Sequence, residues 1–164
     1  MEPVFSIALR KDLPEIVRIY NETIASRQST ADLEPVSVAD REEWFAGHNA
    51  AHRPLWLIKL GNQIVGWISL TDFYGRVAYH KTAEISIYID EAYRGHHLGV
   101  KALTFVEQQV ETLGIETILA YIFGHNQASQ ALFKKFGYER WGHLPQVAEM
   151  DGVKRDLDIL GKHF

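Results

Sequence analysis

The sequence predicts a single α/β domain over residues 1–164, with a mixed, mostly antiparallel central sheet and helices on both faces. Strand-like and helix-like segments alternate along the whole chain, without a linker rich in serine, glycine or proline. A hairpin pattern early in the chain favours antiparallel pairing, and a strand-helix-strand unit later favours some parallel pairing, so the sheet is expected to be mixed and not purely parallel. Because 46% of the 164 residues are hydrophobic, the chain can fill a sizeable core.

The first half of the chain is predicted to contain four strands and two helices. The apolar run at 4–9 indicates a strand, and Asp12 is placed to cap the first helix. After a polar loop, Ser37 opens a capping-box pattern before a second helix. Two apolar strands meet at Gly61, in a Gly-Asn pair typical of a hairpin turn. Clean alternation over 82–90 predicts the fourth strand.

The second half of the chain is predicted to contain two helices and three strands. A helical period of apolar residues begins near Leu98 and stops at Gly114, a favourable residue just past a helix end. A shorter helix begins after Asn126, which can cap it, and ends before Gly137. The three strands are predicted at 116–123, 138–144 and 154–160.

Composition and charge exclude several classes of function. A formal net charge of -4 gives no overall attraction to nucleic acid or to an anionic membrane. Without cysteine the chain has no disulfide, no thiolate metal site and no cysteine nucleophile, which suits a reducing compartment. The N-terminus has no basic region followed by a long apolar stretch. We therefore expect a cytoplasmic protein without a nucleic-acid or membrane partner.

The stretch YIDEAYRGHHLGVKAL, residues 88–103, joins a predicted strand directly to a predicted helix. Such a joint leaves the N–H groups of the first helical turn unpaired at the positive end of the helix dipole. Gly95 and Gly99 allow close approach of the backbone, and Arg94 adds a charged donor, so a phosphate or diphosphate fits. A glycine-containing turn without any ligand explains the loop alone equally well.

Two other interpretations of this loop are weaker. The adjacent His96 and His97 point in different directions, and no carboxylate lies at the spacing that builds a helical metal site, so we expect no metal. The glycines also lack the G-x-G-x-x-G spacing of a dinucleotide-binding fold.

The loop and a second motif together resemble a known family. RGHHLG after EISIYID resembles the acyl-CoA loop Q/R-x-x-G-x-G/A of the GNAT N-acetyltransferases, and NQASQALFKKFGY resembles their N-x-x-S-x-x-L-Y-x-K-x-G-F. The resemblance covers about residues 5–160. TAEISIYID, SLTDFYGRVAY and GHLPQVAEMDGVKRDL are similar to the phosphinothricin and methionine sulfoximine acetyltransferase group. This implies a GNAT-like fold, acetyl-CoA as co-substrate, a small-molecule amine as acceptor and a homodimer.

The resemblance also implies a set of residues that hold acetyl-CoA. The strand backbone would bind the pantetheine arm and donate to the thioester oxygen, and the loop amides would bind the diphosphate. His97 stands where the family has a glycine, and Phe133 stands where many members have a tyrosine that protonates the thiolate. The implied cofactor-binding residues are Ile87, Tyr88, Ile89, Arg94, Gly95, His96, His97, Leu98, Gly99, Asn126, Ser129 and Phe133.

Glu84 is the candidate catalytic base. In the pattern T-x-E-x-S-x-Y it shares one face of its strand with Ser86 and Tyr88. Flanked by apolar residues, its carboxylate would be partly desolvated with a raised pKa, and could take a proton directly or through water. The alternative is an ordinary strand glutamate on the solvent face. The match to the glutamate of the family favours the base.

The loop DFYGRVAY supplies the candidate acceptor site, which comprises Phe73, Tyr74, Arg76 and Tyr79. Arg76 could pair with a substrate carboxylate, although a solvated loop arginine is the commoner case. Some relatives carry an arginine where Tyr74 stands, which puts a phosphinothricin-type acceptor in question. The four tryptophans, Trp44, Trp56, Trp67 and Trp141, are assigned to the core.

The function predicted from these observations is transfer of acetyl from acetyl-CoA to the primary amine of a small amino acid or analogue, by direct attack in a ternary complex. Acetylation of a peptide N-terminus, a lysine or an aminoglycoside-type amine is the alternative among enzymes. A non-catalytic acyl-CoA-binding sensor is the alternative outside them, since His97 and Phe133 both depart from the family pattern.

Overall fold

The computed structural model describes residues 1–164 and contains one seven-stranded sheet in the order β1-β2-β3-β4-β5-β7-β6. All neighbouring strands are antiparallel except β4 and β5, as the sequence predicted for a mixed, mostly antiparallel sheet. The strands are β1 (Val4–Ile7), β2 (Leu55–Leu60), β3 (Gln63–Asp72), β4 (Thr82–Ile89), β5 (Thr117–Phe123), β6 (Glu139–Met150) and β7 (Val153–His163). The helices are α1 (Leu13–Glu22), α2 (Glu42–Ala46), α3 (Leu98–Gln109) and α4 (Gln127–Lys135).

The helices cover both faces of the sheet, as predicted. On one face, Leu13 and Ile16 of α1 pack with Trp67 of β3 and with partly buried aromatic residues of α2. On the other face, Leu103 of α3 and Phe133 of α4 belong to a larger cluster with β2 to β5. Removing these apolar side chains from water supplies the main drive for folding. None of the helices combines the length and the apolar character that crossing a bilayer requires.

The closing hairpin is longer than the sequence predicted. Asp151 and Gly152 both have positive φ, 55° and 77°, which suits a tight two-residue turn and lets β6 and β7 pair almost to its edge. The pairing is interrupted between Leu144 and Ala148, where Pro145 lies. Because proline cannot donate to a ladder, it is tolerated at such an irregularity of an edge strand. Shorter strands were predicted because Pro145 interrupts the strand pattern of β6 and because Asp151 and Gly152 were not recognised as a hairpin turn.

The two parallel strands β4 and β5 separate soon after they meet. Their pairing is limited to Thr82–Thr117, Ala83–Ile118 and Glu84–Leu119. Beyond Glu84, β4 continues to pair with β3 on its other side, and β5 continues to pair with β7. Backbone groups that point into the gap therefore have no strand partner, which is the feature that positions the candidate site.

Candidate active site

A cleft of about 600 Å³ occupies the gap between β4 and β5. Its walls come from these two strands, α4, the loop after α1 and the closing hairpin. A cleft of this size, lined mainly by apolar groups with a few polar ones, is typical of a small-molecule site. Among the residues named from the sequence, those that line it are Glu84, Ile87, Tyr88, Ile89, Gly99, Asn126, Ser129 and Phe133.

The loop before α3 presents a row of free backbone donors. The N–H groups of residues 95–100 donate to no other group of the protein. His97 immediately precedes α3 in the left-handed region, with φ 59° and ψ 24°, and Gly95 has φ 80°. Histidine tolerates this region better than most residues with a Cβ, so the missing family glycine does not prevent the turn. Such a row of N–H groups at a helix N-terminus is suited to an anion.

The side chains of the same loop have separate roles. Arg94 is exposed and forms no ion pair, so its guanidinium is free for a ligand. The Nδ1 atom of His96 lies 3.0 Å from the carbonyl oxygen of Tyr93 and 3.1 Å from that of Arg94, where its N–H stabilises the turn. Leu98 is buried in the core. A Cβ on Gly99 would lie 2.9 Å from Leu132 of α4, so this glycine allows close helix packing.

The wall formed by α4 begins at Asn126, which is 8% exposed. Its Oδ1 accepts a hydrogen bond of 3.2 Å from the backbone N–H of Ser129, so the predicted helix cap is confirmed. Phe133 is buried and packs edge-to-face on Tyr138, with 4.9 Å between the ring centroids. Tyr138 does not line the cleft, and it therefore does not replace the tyrosine that α4 lacks.

Residues 28–31, here called the roof segment, close one side of the cleft and were not named from the sequence. The hydroxyl of Tyr88 donates to the carbonyl oxygen of Ser29 at 3.1 Å. Nδ2 of Asn126 donates to the carbonyl oxygen of Gln28, also at 3.1 Å. These contacts join parts of the chain that are far apart in sequence, so no local sequence pattern predicts them.

Glu84 lies at the point where β4 and β5 part, opposite Thr71 of β3 and Leu119 of β5. Its carboxylate forms no hydrogen bond and no ion pair with another group of the protein. Burial raises the pKa of the Glu84 carboxyl above its usual value. The nearby Tyr121, which lines the cleft, has a pKa raised by burial and by the negative charge of Glu84. A partly buried carboxylate without a partner is well suited to accept a proton.

The Glu84→Gln substitution is expected to stabilise the fold at neutral pH. Because burial raises the folded-state pKa, the protonated carboxyl is favoured by folding, and this contribution is lost as the pH rises through the raised pKa. Glutamine carries no charge at any pH. The difference in Tm between the variant and the wild type should therefore grow as the pH rises from about 4 through the raised pKa of Glu84. A difference that stays constant with pH would contradict the assignment.

The candidate acceptor residues lie in the loop between β3 and β4, outside the cleft lining. The rings of Phe73, Tyr74 and Tyr79 form a cluster with centroid distances of 4.6 Å to 6.1 Å. Tyr74 is 78% exposed and lies close enough to Tyr121 to contribute to the raised pKa of that tyrosine, so this cluster lies beside the mouth of the cleft. Arg76 is exposed and forms no ion pair.

Arg53 holds the two ends of this acceptor loop together. Its guanidinium is almost fully buried, and its Nε lies 2.8 Å from Oδ1 of Asp72 at the end of β3. One terminal nitrogen donates to the carbonyl oxygens of His80 at 2.7 Å and Thr82 at 3.3 Å, where β4 begins. Burial lowers the pKa of Arg53, although it stays protonated. Nothing in the sequence indicates this contact, since an arginine before a proline is not part of a recognisable pattern.

The assignment of the tryptophans to the core was correct for two of them. Trp56 and Trp67 are buried, at 6% and 3% exposure. The assignment of Trp141 to the core is wrong, because Trp141 is 44% exposed on the edge strand β6, where its ring packs over the backbone of Gly161. Trp44 is only partly buried, and it lines a cavity together with Trp67.

Comparison with known sequences gives a consistent set of matches. The profile described as the acetyltransferase (GNAT) family matches residues 15–138. A protein of Bacillus subtilis named "Putative phosphinothricin acetyltransferase YwnH" is 51% identical over 159 residues, which are 96% of this chain and 97% of that protein. The L-methionine sulfoximine/L-methionine sulfone acetyltransferase of Pseudomonas paraeruginosa is 29% identical over 150 residues, covering 91% of this chain and 87% of the relative.

Comparison with solved structures agrees and confirms the predicted fold class. A crystal structure described as a putative phosphinothricin N-acetyltransferase superposes with a TM-score of 0.95 at 49% identity, covering 99% of this chain and 98% of that one. A phosphinothricin acetyltransferase from Sinorhizobium meliloti, solved in complex with AcCoA, has a TM-score of 0.92 at 24% identity and covers 100% of this chain and 89% of that one. At that identity the second match bears on the fold alone.

Proposed function

Because the chain belongs to the GNAT family of acetyltransferases, we propose that it moves the acetyl group of acetyl-CoA to the primary amine of a small amino acid or amino-acid analogue. The acceptor would attack directly, with both substrates bound at once. The observation that carries the proposal is the unpartnered, partly buried carboxylate of Glu84, in a cleft that ends near six free backbone N–H groups.

The features of the cleft fit acetyl-CoA. The diphosphate would accept hydrogen bonds from the N–H groups of residues 95–100, with the free guanidinium of Arg94 beside it. The amide-containing arm would lie along the unpaired edge of β4, from Ile87 to Ile89. Asn126 and Phe133 would line the opposite wall. Acetyl-CoA supplies an acyl group on a good leaving thiolate, and the protein has to orient it toward an amine.

Glu84 would remove the proton from the acceptor amine, directly or through one water. An α-amino group with a pKa near 8 costs about 1.4 kcal/mol to deprotonate at pH 7, whereas a lysine amine near 10.4 costs about 4.6 kcal/mol. A single carboxylate is a weak base even with a raised pKa, so it is better matched to an α-amine than to a lysine side chain. This difference favours an amino-acid acceptor.

The absence of a tyrosine at Phe133 does not obstruct the reaction. A thiol of the coenzyme-A type has a pKa near 8.5, so its thiolate leaves at neutral pH without strong need of an acid. The buried ring of Phe133 would instead exclude water from the thiol end of the cleft.

An acceptor screen tests the proposed function. Release of free thiol from acetyl-CoA would be followed with phosphinothricin, methionine sulfoximine, the common L-amino acids, a peptide and an aminoglycoside. We expect turnover with at least one free amino acid or analogue, and none with the same compound after N-acetylation. Binding of acetyl-CoA in a thermal-shift assay without turnover on any amine would instead identify an acyl-CoA sensor.

A further inference from the structure

A second cavity, here called the aromatic pocket, lies between α1, α2 and the sheet. It has a volume of about 190 Å³, and most of its lining is apolar. Four rings surround it, those of Tyr20, Trp44, Trp67 and Tyr88. Neighbouring centroids are 4.7 Å apart for Trp67 and Tyr88 and 5.4 Å apart for Trp44 and Trp67. The rings pack against one another, which restrains the side chains that line the pocket.

One charged residue, Arg41, lines the aromatic pocket, and it is already paired. Arg41 forms an ion pair of 2.8 Å with Asp32, and its guanidinium stacks 4.7 Å from the centroid of the Tyr20 ring. The hydroxyl of Tyr20 is in turn bonded to Thr30 and Asp32. An anionic group that entered the pocket would therefore meet an arginine whose charge Asp32 already balances, so its desolvation would be only partly offset.

The aromatic pocket adjoins the acetyl-CoA cleft. Ser86 and Tyr88 line both cavities, and they lie on the same face of β4 as Glu84. The Ser86 hydroxyl forms no hydrogen bond within the protein, so it remains available at the boundary. An amine held near Glu84 would thus have the rest of its molecule beside the mouth of the pocket.

We propose that the aromatic pocket receives the side chain of the acceptor, and that the preferred acceptors are amino acids with a large, uncharged, apolar side chain. The inference rests on the proposed function and names its substrate class. An apolar cavity of about 150 Å³ admits benzene, so a pocket of about 190 Å³ has room for a phenyl ring or a branched aliphatic chain. Glycine and alanine would leave it empty, and phosphinothricin would carry a charge toward it.

Val36 offers a way to fill the pocket without touching its polar groups. Its backbone is fixed by the side chain of Asn21, which donates to the Val36 carbonyl oxygen at 2.9 Å and accepts from its N–H at 3.0 Å. Val36→Phe should therefore place a ring in the pocket. Val38→Phe is the matched control, because Val38 packs on the same apolar cluster without lining the pocket.

The experiment compares kcat/KM for L-phenylalanine, L-leucine, L-alanine and phosphinothricin in the wild type and both variants. We expect a preference of at least tenfold for the two apolar amino acids, since one methylene in such a pocket changes specificity by about 10- to 200-fold. That preference should fall at least tenfold in Val36→Phe and persist in Val38→Phe. Val36→Ala, which enlarges the pocket, should shift preference from leucine toward phenylalanine even if Val36→Phe folds poorly.

The outcomes separate the two proposals. Equal or better turnover of alanine or phosphinothricin in the wild type overturns the pocket assignment and leaves amino-acid acetylation standing. A preference for apolar acceptors that stays unchanged in all Val36 variants also overturns the pocket assignment and leaves amino-acid acetylation standing. No turnover with any amino acid overturns the proposed function itself, and the pocket assignment with it.

Discussion

Turnover of the Glu84→Gln variant is expected to fall at least tenfold, and by as much as about 10⁴-fold, because a positioned general base contributes about 10² to 10⁴ in rate. Glutamine keeps the size of the side chain and removes its ability to take a proton. The affinity for acetyl-CoA should be retained, since Glu84 lies at the opposite end of the cleft from the amides of residues 95–100. Steady-state kinetics and a binding titration measure the two quantities.

The pH dependence separates a base from a structural role for Glu84. In the wild type, kcat/KM should decline on the acid side as the Glu84 carboxylate gains a proton, at a pH raised by its burial. In the variant this decline should disappear, leaving only the titration of the acceptor amine. Glu111→Gln, an exposed surface change, should leave both rate and profile unaltered. Undiminished turnover in Glu84→Gln would reject the base.

Acetyl-CoA affinity is expected to fall about 10- to 100-fold in Gly95→Val. The backbone of Gly95 has φ 80°, a conformation that a β-branched residue avoids at a cost of about 1–3 kcal/mol. The loop would relax to another conformation, and the N–H groups of residues 95–100 would no longer point at one anion. Isothermal titration with acetyl-CoA measures the change.

A matched control for this variant exists elsewhere in the chain. Gly114, after α3, also has positive φ, 67°, and an added Cβ would meet no atom within 4 Å there or at Gly95. Gly114→Val should therefore lose comparable stability while keeping its affinity for acetyl-CoA. If both variants bind acetyl-CoA as tightly as the wild type, the amides of the loop do not hold the diphosphate.

Much of the fold could be predicted because its patterns are local. The strand before the loop alternates, α3 has the predicted apolar face although it ends at Gln109, before the turn that closes at Gly114, and Asn126 caps α4 through its own side chain. Each of these patterns lies within a few residues and has one physical cause. The order of the helices and strands followed from them, and so did the loop before α3.

The rest of the candidate site depends on contacts between distant parts of the chain. The roof segment reaches the cleft through bonds to Tyr88 and Asn126, and Arg53 joins β3 to β4 through backbone carbonyls. Neither arrangement has a sequence period. The pocket position of Trp44 could not be predicted either, because a tryptophan on a helix face is compatible with both core and pocket. Only the packing distinguishes the two.

The early parting of β4 and β5 has a mechanical consequence. Within the sheet, only three residue pairs join the antiparallel ribbon of β1 to β4 to the antiparallel ribbon of β5 to β7. A substrate whose amide groups bonded to the open edge of β4 would act as an additional strand for as long as it stayed bound. Binding of the substrate would then also fill the gap between β4 and β5, and release of the product would open that gap again.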